Sequence, residues 1–191
     1  MVYQIRQQQS IAMGLFTKKK ITVEQIANTF TEMIASLHTH EQISELLKAS
    51  GQEFVINDQQ KKEITAFQMF TATHAIQAGF GQVLGSQELL DSFHQKMFNN
   101  ISCFQSEQLD FEKFIKDRYQ AYYKVLHSDS KDMGISVGAC FDDYFFSHNQ
   151  QKGGSGLLVI GSALLFLNQF NHTAKFIKEV LAKFEVVKEK Q

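Results

Sequence analysis

Apolar residues recur at intervals of three and four along most of this chain, the spacing of one face of an α-helix. The first run opens after Thr22, whose hydroxyl can cap free amides while Gln25 reaches back. It continues through Ile26, Phe30, Met33, Ile34 and Leu37 to a stop near His38. A short second helix over residues 41–49 presents Ile43, Leu46 and Leu47 and ends at Gly51, a left-handed stop. After a brief extended stretch at 54–56, a third helix capped by Asp58 carries Ile64, Phe67, Phe70 and His74 and ends at the Gly79-Phe80-Gly81 break. Ser86 caps a fourth helix with Leu89, Leu90, Phe93, Met97 and Ile101. Ser106 precedes a fifth with Phe111, Phe114, Ile115, Tyr119, Tyr122 and Leu126.

A polar turn over 128–132 leads to a sixth helix containing Val137, Cys140, Phe141, Tyr144 and Phe145. The seventh, over 157–167, is nearly all apolar. An eighth begins after Asn171 with Phe176, Ile177, Val180, Leu181, Phe184 and Val187, its wet face formed by Lys175, Lys178, Glu179, Lys183 and Glu185. A helix apolar all round must be covered on several sides, which makes 157–167 the expected centre of the molecule. The expected fold is all-α: a single-domain, orthogonal or up-and-down bundle of seven to eight helices around a central apolar helix, in residues 21–191. Residues 1–20 carry Arg6, Lys18, Lys19 and Lys20 with no acid and no helical stripe, so they read as a flexible basic tail.

Composition strengthens this picture. Eighteen Phe occur with no Pro, where average usage of about 5% would put on the order of ten, so nothing of that origin kinks a helix. With 191 residues, 43% of them hydrophobic, one core can stand without disulfides or a structural metal. A net charge of −1 offers no broad positive field to a nucleic-acid backbone. Cys103 and Cys140 form no CxxC pair and lie among apolar residues, as reduced, buried thiols do. No apolar run reaches the roughly 18–20 residues of a membrane span, and the expected location is cytoplasmic, with no membrane insertion.

Chemistry is sparse. Arg118 lies on or beside the apolar stripe of the fifth helix, with Tyr122 one turn on. A guanidinium drawn into a core has to be paired, by a structural carboxylate or by the acidic head of a ligand. His74 and His94 follow Phe70 and Leu90 by four residues and point inward by the same periodicity. Asp91 and His94 have the i, i+3 spacing of metal ligands sharing a helix face, but no second such pair exists. Inward histidines in a Phe-rich helical chain are compatible with haem, and nothing in the helix order points to it. Adjacent Asp142 and Asp143 lack the second acidic motif that a magnesium-pyrophosphate site needs and read as a solvated pair. The glycine clusters at 79–85 and 153–156 fit neither a dinucleotide fingerprint nor a P-loop. No nucleophile motif is present. No metal and no cofactor is therefore expected.

Two functional classes remain. The first is a non-catalytic helical module that binds another protein, itself as a homodimer, or a small ligand. The second is a cofactor-binding or acidic-ligand-binding protein or enzyme, with a pocket near Arg118, His74, His94 and Tyr122 for an apolar ligand with an acidic head. A ligand pocket predicts a cavity lined by inward polar groups; an interaction module predicts those groups paired and an apolar patch exposed.

Overall fold

The computed structural model describes residues 18–51, 55–81, 85–100, 108–128, 132–147 and 156–187. The described chain is mostly helical, running β1 Lys19–Thr22, α1 Val23–Ala35, α2 Thr39–Ala49, α3 Asp58–Phe80, α4 Ser86–Asn100, α5 Gln108–Leu126, α6 Met133–Ser147, α7 Gly156–Lys183 and β2 Phe184–Val187. Local chemistry accounts for several of these boundaries. Thr22 and Gln25 form the reciprocal capping box of α1. Gly51 after α2 has φ 77°, open to glycine without the Cβ penalty. The cap of α3 is Asn57, boxed with Gln60, rather than Asp58, which is its first helical residue.

Two expectations about the C-terminal region are corrected. The predicted seventh and eighth helices are one helix, α7, which passes through Asn171 without a break. Asn171 is exposed, where its lower helix propensity costs only a fraction of a kcal/mol. Phe184 and Val187, expected on that helix, belong instead to β2. Its residues pair in parallel with β1, Lys19 against Phe184 through Thr22 against Val187. Lys19 and Lys20 are therefore strand residues, and positions 1–17 of the expected tail lie outside the described residues.

Among the described residues α7 leaves one face exposed, and the helix buried all round, over residues 66–73, is α3. Fourteen of its residues are buried, and it contributes to both apolar clusters of the core. One cluster joins α1, α4 and the first half of α5 to the later part of α7. The other joins α2, α6 and the second half of α5 to the earlier part of α7. Buried polar side chains on α3 are tolerated because they find partners. Gln60 Nε2 donates to the Phe145 carbonyl at 3.1 Å, Gln68 Nε2 donates to Thr39 Oγ1 at 2.6 Å, and Thr71 Oγ1 donates to the Phe67 carbonyl at 2.9 Å.

Helices α6 and α7 meet at backbone distance. A Cβ on Gly138 would lie 2.5 Å from the Val159 carbonyl oxygen and 2.9 Å from the Ala163 nitrogen, and Ser162 Oγ donates to the Gly138 carbonyl at 3.3 Å. Asp142 stands one turn beyond Gly138, on this pressed face, and is buried while Asp143 is exposed. The expected solvated pair is thus split by helix phase. No helix among the described residues is long and apolar enough to cross a membrane.

Candidate functional site

Arg118 projects from α5 toward the buried α3 carboxylate of Glu63. Its Nε donates to Glu63 Oε2 at 2.7 Å and its Nη2 to Oε1 at 2.6 Å, the bidentate fork that guanidinium and carboxylate share. The Glu63 side chain is 0% exposed and that of Arg118 13%. The guanidinium carbon also lies 3.9 Å from the Tyr144 ring centre and 4.6 Å from that of Phe114, both within cation-π range. Burial alone would lower the Arg118 pKa; the hydrogen bonds and charge of Glu63 outweigh it, and the net shift is upward.

Beyond this pair, a cleft of about 750 Å³ opens between α5 and α6, bordered by Arg118, Val125, Ala139, Cys140 and Tyr144 with a rim of Ser128, Ser136, Asp143 and Ser147. Cys140 is half-buried rather than sealed in the core. Burial, aided by the nearby Asp143 carboxylate, pushes its thiol up to about 11, which leaves little nucleophilic thiolate near neutral pH. Cys103 lies outside the described residues. Tyr122 is fully buried, does not border the cleft, and its hydroxyl has no hydrogen-bond partner among the described residues.

Neither histidine joins Arg118. His94 Nδ1 donates to the Leu90 carbonyl at 2.8 Å, since a carbonyl only accepts. In the neutral ring Nε2 is then the acceptor, 3.0 Å from the Tyr119 hydroxyl and 3.2 Å from that of Thr73, which are 3.0 Å from each other. Burial lowers the His94 pKa and raises that of Tyr119. His94 borders a separate groove of about 540 Å³, with Phe98, Ile115 and Tyr119 along it. His74 borders neither cavity and packs among the rings of Phe70, Tyr123, Phe166 and Phe170. The structure does not bring Arg118, His74 and His94 together: Arg118 and His94 border separate hollows and His74 lies in an aromatic stack.

The chain matches no known family model, curated protein or solved structure. Geometry alone therefore bears on function. No group of three or more His, Cys, Asp or Glu placed to hold a metal occurs among the described residues.

Sequence periodicity did not pick out Glu63, although Phe67 and Phe70 at i+4 and i+7 place it on the apolar face of α3. A second feature missed was a row of large hydrophobic side chains in water. Leu157, Ile160, Leu164 and Leu167 of α7, with Met133 and Ile135 of α6, are each between 41% and 55% exposed. Helix α7 is apolar on more sides than the surrounding elements cover, so one face remains outside. Gly134 sits against Leu167, where a Cβ would lie 3.2 Å from Leu167 Cδ1. Met133 and Ile135 therefore flank the end of the row.

Proposed function

We propose that this chain is a non-catalytic protein-interaction module whose docking face is the row Leu157, Ile160, Leu164 and Leu167 with Met133 and Ile135. The observation that carries this reading is a division of roles. Arg118 and His94 are engaged inside the molecule, Arg118 with Glu63 and His94 with Leu90, Thr73 and Tyr119, while large apolar side chains gather on one face outside. Singly exposed hydrophobics need no explanation, but four along one face of α7, with two more on the packed helix α6, do. An acidic ligand at Arg118 would have to displace a buried carboxylate already held by two short bonds, and breaking a buried ion pair is costly.

Native mass spectrometry of the freshly purified, untagged chain tests this. The expected spectrum shows protein bound in integral stoichiometry, no small-molecule adduct, and loss of the complex when Ile160→Lys and Leu164→Lys are combined. A retained small molecule that survives those substitutions and is expelled by Ala139→Trp in the cleft would overturn the reading in favour of a ligand-binding protein.

A further inference from the structure

We infer that the occupant of this face is a second copy of the same chain, docked α7 against α7 about a two-fold axis; the inference rests on the docking reading above. The first argument is spacing. The exposed residues of α7 stand at 157, 160, 164 and 167, intervals of three, four and three. This is the a/d seam along which one helix packs knobs-into-holes against another.

The second argument is charge. Residues 156–174 and 133–141 contain no Asp, Glu, Lys or Arg. Along α7 itself the positions flanking the seam carry none of the charges by which paired helices select a different partner; the Asp132 carboxylate, 3.5 Å from where a Cβ on Gly134 would lie, stands at the end of the row beside Leu167. A neutral apolar row meets its own copy without like-charge repulsion, and an isologous contact requires that self-complementarity. Lipid fits less well, because helices that lie on a bilayer surface flank the apolar face with Lys and Arg.

The third argument is size. Six half-exposed side chains make a patch on the order of the ~300–600 Å² that is the largest apolar area on an ordinary monomer. A standard interface buries about 800 Å² per partner, so the row supplies its dry centre, and the exposed amides of Asn168 and Asn171 extend the contact as a polar rim.

Sedimentation equilibrium of the full chain from low to high micromolar concentration is the test. The expected result is a mass rising toward twice that of the chain, with Leu164→Lys weakening association on the order of 30-fold or more, as at a central interface residue. Leu164 is already in water in the single chain, so this variant keeps its far-ultraviolet circular dichroism; exposed Val55→Lys serves as a control and leaves association unchanged. A single-chain mass throughout, or a doubled mass that Leu164→Lys does not reduce, overturns the inference. A single-chain mass together with a different protein displaced by Leu164→Lys overturns the inference and leaves the docking reading standing. A single-chain mass with vesicle binding abolished by Leu164→Lys overturns both.

Discussion

Replacing Arg118 with Met should be among the most damaging single changes in this protein, and it should hurt more than removing the residue to which Arg118 is bonded. Met keeps an unbranched stem, so the change chiefly removes the charge, two hydrogen bonds to Glu63 and the guanidinium's contacts with the Phe114 and Tyr144 rings. Glu63, at 0% exposure, then loses the guanidinium that holds it by two hydrogen bonds. Stranding one partner of a buried pair costs about 3–5 kcal/mol, and each kcal/mol lowers the melting temperature of a domain this size by roughly 2–4 °C. A fall of about 6–20 °C is expected.

The converse change, Glu63→Leu, leaves the guanidinium, which borders an open cleft and can rehydrate there. Its cost should be smaller, nearer the ~1.5–3 kcal/mol of hydrogen bonds to a charged group. The double variant leaves no unpaired buried charge and should recover much of the Arg118→Met loss, because apolar replacement of a whole buried pair is often nearly neutral. Urea unfolding followed by circular dichroism yields all four corners of this cycle. The reasoning fails if Arg118→Met costs less than about 1 kcal/mol, if Glu63→Leu is the worse single change, or if the two losses simply add.

Gly138→Ala should force α6 from α7, because both nearest atoms to the new Cβ are backbone. The cost should reach the upper part of the ~1–3 kcal/mol typical of overpacking, and Gly156→Ala, with open space around it, should leave the melting temperature nearly unchanged. Equal melting temperatures for the two variants would contradict the close-packed interface. Burial lowers the pKa of His94, and also those of His74 and His40, so below pH ~6.5 the unfolded chain binds more protons than the folded one. Stability should therefore fall as pH drops from 7 through that value, until the lowered folded-state pKa is passed. His94→Gln should remove up to one proton of the slope, about 1.4 kcal/mol per pH unit, and an unchanged slope in urea titrations between pH 7 and 5 would refute the assignment.

What could be read from the sequence was set by how local the cause is. The Thr22–Gln25 box and the Gly51 stop depend on residues within one turn, and they stand in the structure. The cap of α3 was misplaced by one residue because Asn57 and Asp58 are both good caps and only the Gln60 side chain decides between them. The β1–β2 pair could not be foreseen: four-residue strands more than 160 positions apart carry no local signal, and α-helical spacing continues into Phe184 and Val187. Periodicity placed Arg118, Tyr122 and His94 correctly toward the interior. It could not say which carboxylate met the arginine, because helix phase specifies the face a residue takes and not what stands opposite.

The same limit explains the inversion of the expected centre. Helix α7 looked central because its first half is apolar in every direction, and α3 did not because Gln60, Glu63, Gln68, Thr71 and Thr73 interrupt its faces. Partners make the burial of these polar side chains tolerable. Each of those α3 side chains meets a donor or acceptor on its own or a facing helix, so enclosing them leaves little uncompensated desolvation. The α7 row has no such requirement and can remain in water at the cost of its hydrophobic burial alone. A polar helix at the centre and an apolar row at the surface are thus consequences of one rule. The same rule supports the proposed docking face: the Arg118–Glu63 pair is completed inside the fold, and large apolar side chains that could still gain burial lie along Leu157, Ile160, Leu164 and Leu167.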